Sequence, residues 1–100
     1  MTIVLAQHGG SFATRSRARE VLAAEADSID IACVTVDASN VLLSPSFTAE
    51  FLVGLVEDQG CERVVLKGAR ERPARIAQDL ANKFGYSDRL EVEQPTISAS

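Results

Sequence analysis

Tryptophan is absent, tyrosine occurs once and phenylalanine four times. Aromatic residues make up 5% of the chain, too few for aromatic cages or base-stacking platforms. A basic excess is missing too. Ten Lys and Arg stand against fourteen Asp and Glu, a formal net charge of −4. Nucleic-acid binders usually carry a basic footprint, so no nucleic-acid partner is expected. No apolar run approaches the ~20 residues of a membrane helix, and direct membrane insertion is not expected. The opening MTIVLAQHGG has no basic region ahead of its apolar stretch and does not read as a signal peptide. The two cysteines, Cys33 and Cys61, match no metal or redox spacing. Cys33 falls inside a strand pattern and Cys61 follows a helix-ending glycine, so both read as structural. Neither a metal site nor a cofactor is expected, and the default is a cytoplasmic domain with reduced thiols.

What is present is a core. The 100 residues are 46% hydrophobic, drawn mainly from Leu, Val, Ala and Ile. A chain of this length buries roughly two thirds of its unfolded surface, enough for one modest core. Residues 1–94 read as a single domain and 95–100 as a flexible C-terminal tail.

Strand and helix patterns alternate along the chain. Ile3 to Ala6 has strand character and stops at Gly9-Gly10. The next stretch, SFATRSRAREVLAAEAD, spaces Ala18, Val21, Leu22 and Glu25 as a helix does, with Ser11 or Thr14 as its cap. A β-branched strand, Ala32 to Asp37, breaks at Asp37-Ala38-Ser39-Asn40. Val41 to Leu43 is extended. Ser44 as N-cap and Pro45 at the first helical position then open a second helix, which Gly60 closes. Its stripe is Phe47, Phe51, Leu52, Leu55 and Val56. Arg63 to Lys67 is a third strand. Pro73 opens a third helix with the stripe Ile76, Ala77, Leu80, Ala81 and Phe84, ended by Gly85. Leu90 to Glu93 alternates like an edge strand. Such alternation predicts an α/β fold, a roughly four-stranded, mostly parallel sheet covered by three helices.

Ligands and partners of open parallel sheets gather at the carboxyl ends of the strands. Here those ends hold His8-Gly9-Gly10-Ser11, the stretch from Asp37 to Ser46, and the segment KGARERP. The first is neither a dinucleotide fingerprint nor a phosphate loop, and it reads as a plain strand-to-helix turn. His8, Ser46 and Asp37 assemble into a triad only on paper, and no catalytic residues are assigned. Arg70, Arg72 and Arg75 could hold an acidic group, but a solvated helix end beside Glu71 and Asp79 is the simpler reading. At Ser44-Pro45-Ser46, two hydroxyls stand at a helix N-terminus, where a phosphate is favoured by unpaired N–H groups. By local chemistry alone, a plain cap at Ser44 and an ordinary first-turn serine at Ser46 is the better reading.

The stretch VTVDASNVLLSPSFTAEFLVGLVED resembles the STAS domains of anti-sigma-factor antagonists and sulphate-transporter tails. It is most similar to the small stand-alone STAS-like proteins of bacteria. In the main family a strand reading hydrophobic-Asp-hydrophobic-Ser-Gly-Val is followed by Asp-Ser-Ser/Thr-Gly and a Leu-rich helix. VDASNV matches the first part through Asp37, Ser39 and Val41. Counted from Val41, Pro45 falls on the family's Asp, Ser46 on its phosphorylatable Ser, Phe47 on the second hydroxyl and Thr48 on the Gly. SFTAEFL echoes the helix start of the STAS-like variant, and Thr14-Arg15 its early Thr-Arg. The resemblance spans roughly residues 2 to 93. It departs at Pro45, which replaces the family's acidic residue, and at the N-terminus, where one strand stands in place of a two-stranded hairpin.

The resemblance implies a non-catalytic signalling module, a protein–protein interaction domain rather than an enzyme. Its partner would be a GHKL-type ATPase or serine kinase of the anti-sigma-factor kind. Ser46, with Ser44 as the fallback, would be the phosphorylation candidate. Asp37, Ser39, Asn40, Thr48 and Glu50 would shape or line the partner-binding surface. The alternatives are an accessory subunit of a membrane transporter, and a small-ligand or phosphate-binding domain using the loops around His8 and Arg70. The edge strand LEVE could also pair with a copy of itself to give a homodimer.

Overall fold

A computed structural model of the chain describes residues 1–93. The expected tail, 95–100, lies outside the described residues. The elements run β1 (Thr2–Val4), β2 (Ser11–Phe12), α1 (Arg15–Glu25), β3 (Val34–Asp37), β4 (Leu42–Leu43), α2 (Pro45–Val53), β5 (Val64–Lys67), α3 (Glu71–Phe84) and β6 (Leu90–Glu93). Four strands form one parallel sheet in the order β1-β3-β5-β6, so each main strand lies beside the next in sequence.

That order has a geometric consequence. Right-handed crossovers that always step the same way put every helix on one face of the sheet. Accordingly α1 packs on α2, and α2 on α3. The core lies beneath them. Ile3, Val34, Val36, Val64, Leu66 and Leu90 point from the strands toward the helices, and Val21, Leu22, Phe47, Phe51 and Leu55 close over them. Residues between these positions belong to the opposite face. There the register aligns Thr2, Thr35, Val65 and Glu91 in one row, and Val4, Asp37, Lys67 and Glu93 in the next. No helix among the described residues is long and apolar enough to cross a membrane.

Caps and packing define the helices. Thr14 accepts the Arg17 N–H at 3.1 Å and starts α1. Ser44 accepts the Phe47 N–H at 3.0 Å, and Pro45 follows at the first position of α2. Phe47 lies between Phe12 and Phe51, with ring centroids 4.9 and 5.3 Å away. Beyond Val53 the helix widens into a π turn over Gly54–Asp58, and Gly60 reverses the chain at φ 74°. Gly54 is where α2 meets α1: a Cβ there would overlap the buried Leu22 side chain.

Three expectations need correction. The single strand before the first helix is in fact followed by a second. After β1 the chain makes a 3-10 turn over Leu5–His8 and then β2, which pairs in parallel with β4 in a separate two-stranded ribbon. Two residues are too short for period-2 alternation to register. The third helix begins at Glu71 with Arg70 as its cap residue, and Pro73 sits within its first turn. Its buried face is Ala74, Ala77 and Ala81, whereas Ile76 and Leu80 are half-buried and Phe84 is 48% exposed. The small alanines face inward because they let the helix backbone approach its neighbours closely, which pushes the larger side chains to the flank.

Candidate functional site at the start of the second helix

Asp37 ends β3, and its carboxylate organises the turn that follows. Asp37 Oδ1 accepts the Ser39 N–H at 3.0 Å. The Ser39 side chain first and then its backbone N–H lower the Asp37 pKa, while burial opposes them and the Lys67 charge assists. Asn40 takes the left-handed conformation at φ 63°, which asparagine tolerates better than most residues. The turn also rests on the neighbouring strand end. Ala38 N–H donates to the Lys67 carbonyl at 2.8 Å, and Gly68, at φ 75°, lies so close to Ser39 that a Cβ would overlap the Ser39 hydroxyl. Ser39 and Asn40 are therefore held rather than loose.

The chain then crosses β4 and enters α2. Leu42 is 59% exposed. Ser44 is engaged twice: besides capping α2, its hydroxyl donates to the Ala13 carbonyl at 3.0 Å. Ser46, two residues on, is exposed in the first turn. Thr48 is turned inward, 3% exposed, and its hydroxyl donates to the Ser44 carbonyl at 2.9 Å. It presents nothing to a partner. Glu50 is half-buried and receives Arg19 Nε at 3.2 Å, which ties α2 to α1. Of the residues singled out from sequence, Asn40 and Ser46 are exposed, Asp37, Ser39, Ser44 and Glu50 are partly exposed, and Thr48 is buried. Asp37 and Ser44 are also bonded into the local architecture.

Leu42 went unnoticed in the sequence, where it reads as part of an apolar strand. A two-residue strand outside the main sheet gives no periodicity to reveal which side faces water.

The loop of the competing ligand-binding reading is engaged internally. His8 Nε2 lies 2.9 Å from Glu25 Oε1, which joins the end of α1 to the turn after β1. Arg17 donates to the His8 carbonyl and to Glu20, the latter at 2.9 Å. On α3, Arg75 pairs with Glu71 at 3.3 Å. The open depression there is lined by Glu71, Arg72, Arg75, Ile76 and Asp79, and it contains neither His8 nor Arg70. Cys61 is fully buried, and burial raises its thiol pKa, as expected of a structural cysteine.

No family model matches the chain, and it matches no curated protein and no solved structure.

Proposed function

We propose that this protein is a non-catalytic signalling module that acts in the cytoplasm by binding a protein partner through the Asn40-to-Glu50 surface. Its resemblance to STAS domains of anti-sigma-factor antagonists names the partner class, a GHKL-type ATPase or serine kinase. The observation that supports the reading best is the contrast between the three hydroxyls at the start of α2. Ser44 and Thr48 are bonded internally, whereas Ser46 is exposed, as is Leu42 four residues before it in the chain. A modifying enzyme can reach Ser46 without unfolding the helix, and the exposed Leu42 on the preceding strand offers apolar surface to a partner.

In this reading the kinase transfers the γ-phosphoryl group of ATP to Ser46 Oγ. The bond between the γ-phosphorus and the bridging oxygen breaks, ADP leaves, and a base on the kinase takes the hydroxyl proton. The phosphate adds about −1.5 to −2 charges at pH 7 to a surface that otherwise buries Leu42 in the partner. Desolvating that charge opposes the complex.

The test is affinity capture from host lysate with the parent protein and with Ser46→Glu, the bound proteins being identified by mass spectrometry. The expected result is an ATPase-domain protein captured by the parent and lost with the glutamate. Equal capture by both forms removes Ser46 as the switch, and capture of no ATPase-domain protein by either removes the partner class.

A further inference from the structure

Helices α1 and α2 leave a common two-stranded ribbon and run in the same direction in constant register. Ser11 pairs with Leu42 and Phe12 with Leu43. Ser44 Oγ meets the Ala13 carbonyl at 3.0 Å, and further on Arg19 Nε meets Glu50 Oε2 at 3.2 Å; both contacts join residues 31 apart. Arg15 and Ser46 have the same separation and lie between these two contacts. Arg15 stands one helical turn before Arg19, on the same face of α1. Ser46 stands one turn before Glu50, on the same face of α2. Both residues are exposed, and Arg15 has no carboxylate partner among the described residues.

We propose that Arg15 is the residue that holds a phosphate placed on Ser46. The phosphate is captured within the molecule, across the groove between α1 and α2, and it repeats one turn earlier the cross-helix pairing that Arg19 makes with Glu50. The inference rests on Ser46 being the modified residue, but it concerns what the phosphate does once attached. A guanidinium presents two parallel N–H donors to phosphate oxygens, a geometry suited to this pairing. The modification would then act twice. It adds negative charge to the start of α2, and it withdraws an exposed cation from any acidic group on the partner.

The test needs neither kinase nor partner. Phosphoserine is installed at position 46 by genetic encoding, and its second ionisation is followed by 31P NMR against pH. An ordinary phosphoserine titrates near pH 6. Pairing with Arg15 lowers that value, so Arg15→Gln should raise it by about half a unit. The difference should shrink in 1 M salt, where screening acts within ~3 Å. Arg75→Gln, a change on the exposed face of α3, should leave the titration unchanged. Identical titration of the parent and Arg15→Gln phosphoproteins would overturn the proposal, as would an equal shift with Arg75→Gln. The two readings fail separately. A phosphoprotein that loses the ATPase although its titration ignores Arg15 keeps the switch and removes the role of Arg15. A phosphate held by Arg15 in a protein that captures no ATPase does the reverse.

Discussion

Asp37 shows how one side chain turns a strand end into a structured surface. Its carboxylate receives the Ser39 N–H, and the bonds to Ser39 hold its pKa below the ordinary carboxylate range. A carboxyl with a depressed folded pKa stabilises the fold at pH values above its ordinary value of about 3.9. That contribution is lost as the pH falls through the lower, folded value. Asp37→Asn should therefore cost about 1 kcal/mol above pH 5. The gap to the parent should close as the pH drops below 4, in urea midpoints measured from pH 2 to 6. A gap independent of pH would mean that shape rather than charge sets the role of Asp37. Local chemistry in the sequence shows only that a strand ends at Asp37; its place in the candidate site comes from the resemblance to STAS domains. Its Gly68 neighbour was not legible, because the two strand ends meet only once the sheet forms.

At the scale of elements, α2 couples the core to the proposed surface. Its inner face is Phe47, Phe51 and Leu52, and its outer face carries Ser46. The stripe expected from sequence is the stripe observed, because Phe47, Phe51, Leu52, Leu55 and Val56 are all buried. Phe47 is 1% exposed and lies between Phe12 of the ribbon and Phe51 of its own helix. Phe47→Ala should cost about 3–5 kcal/mol through lost burial and the cavity left behind. Chemical denaturation should show a large drop in midpoint, and partner binding should weaken with it because the start of α2 loses its seat. A loss below 1 kcal/mol would place the ring outside the core. The third helix follows the opposite lesson. Its apolar spacing was plain, yet the face it buries is the alanine face. Periodicity finds a stripe; the clearance to neighbouring elements decides which edge of the stripe goes inward.

For the whole molecule, the sequential order of parallel strands gives one sheet face to the helices, and among the described residues the other face carries none. A single cluster of buried residues joins all four main strands, the ribbon and the three helices. One connected core implies one cooperative unit. Thermal and urea unfolding, followed by far-ultraviolet circular dichroism and by Tyr86 fluorescence, should give coincident transitions. Two separated transitions would show that the β2–β4 ribbon and the helix starts it carries melt apart from the sheet. Such melting would also release the alignment of α1 with α2 on which the proposed capture of a Ser46 phosphate by Arg15 depends.

Local signals sufficed for much of this protein. Apolar periodicity placed the main strands and the three helices, hydroxyl caps and Pro45 located the starts of the first two helices, and Gly60 and Gly85 marked the ends of the last two. The α/β class and the largely parallel sheet followed, since a strand followed by a helix leaves few ways to pair. These features rest on residues within a few positions of one another, where backbone chemistry and spacing are enough. Tertiary structure alone decided the ribbon of β2 and β4, the exposure of Leu42, the inward turn of Thr48 and the alignment of α1 with α2. The ribbon and the alignment of the helices depend on residues 31 positions apart meeting at close range. Which of several sterically allowed meetings occurs is set by packing across the whole core, and no stretch of the chain contains that information by itself.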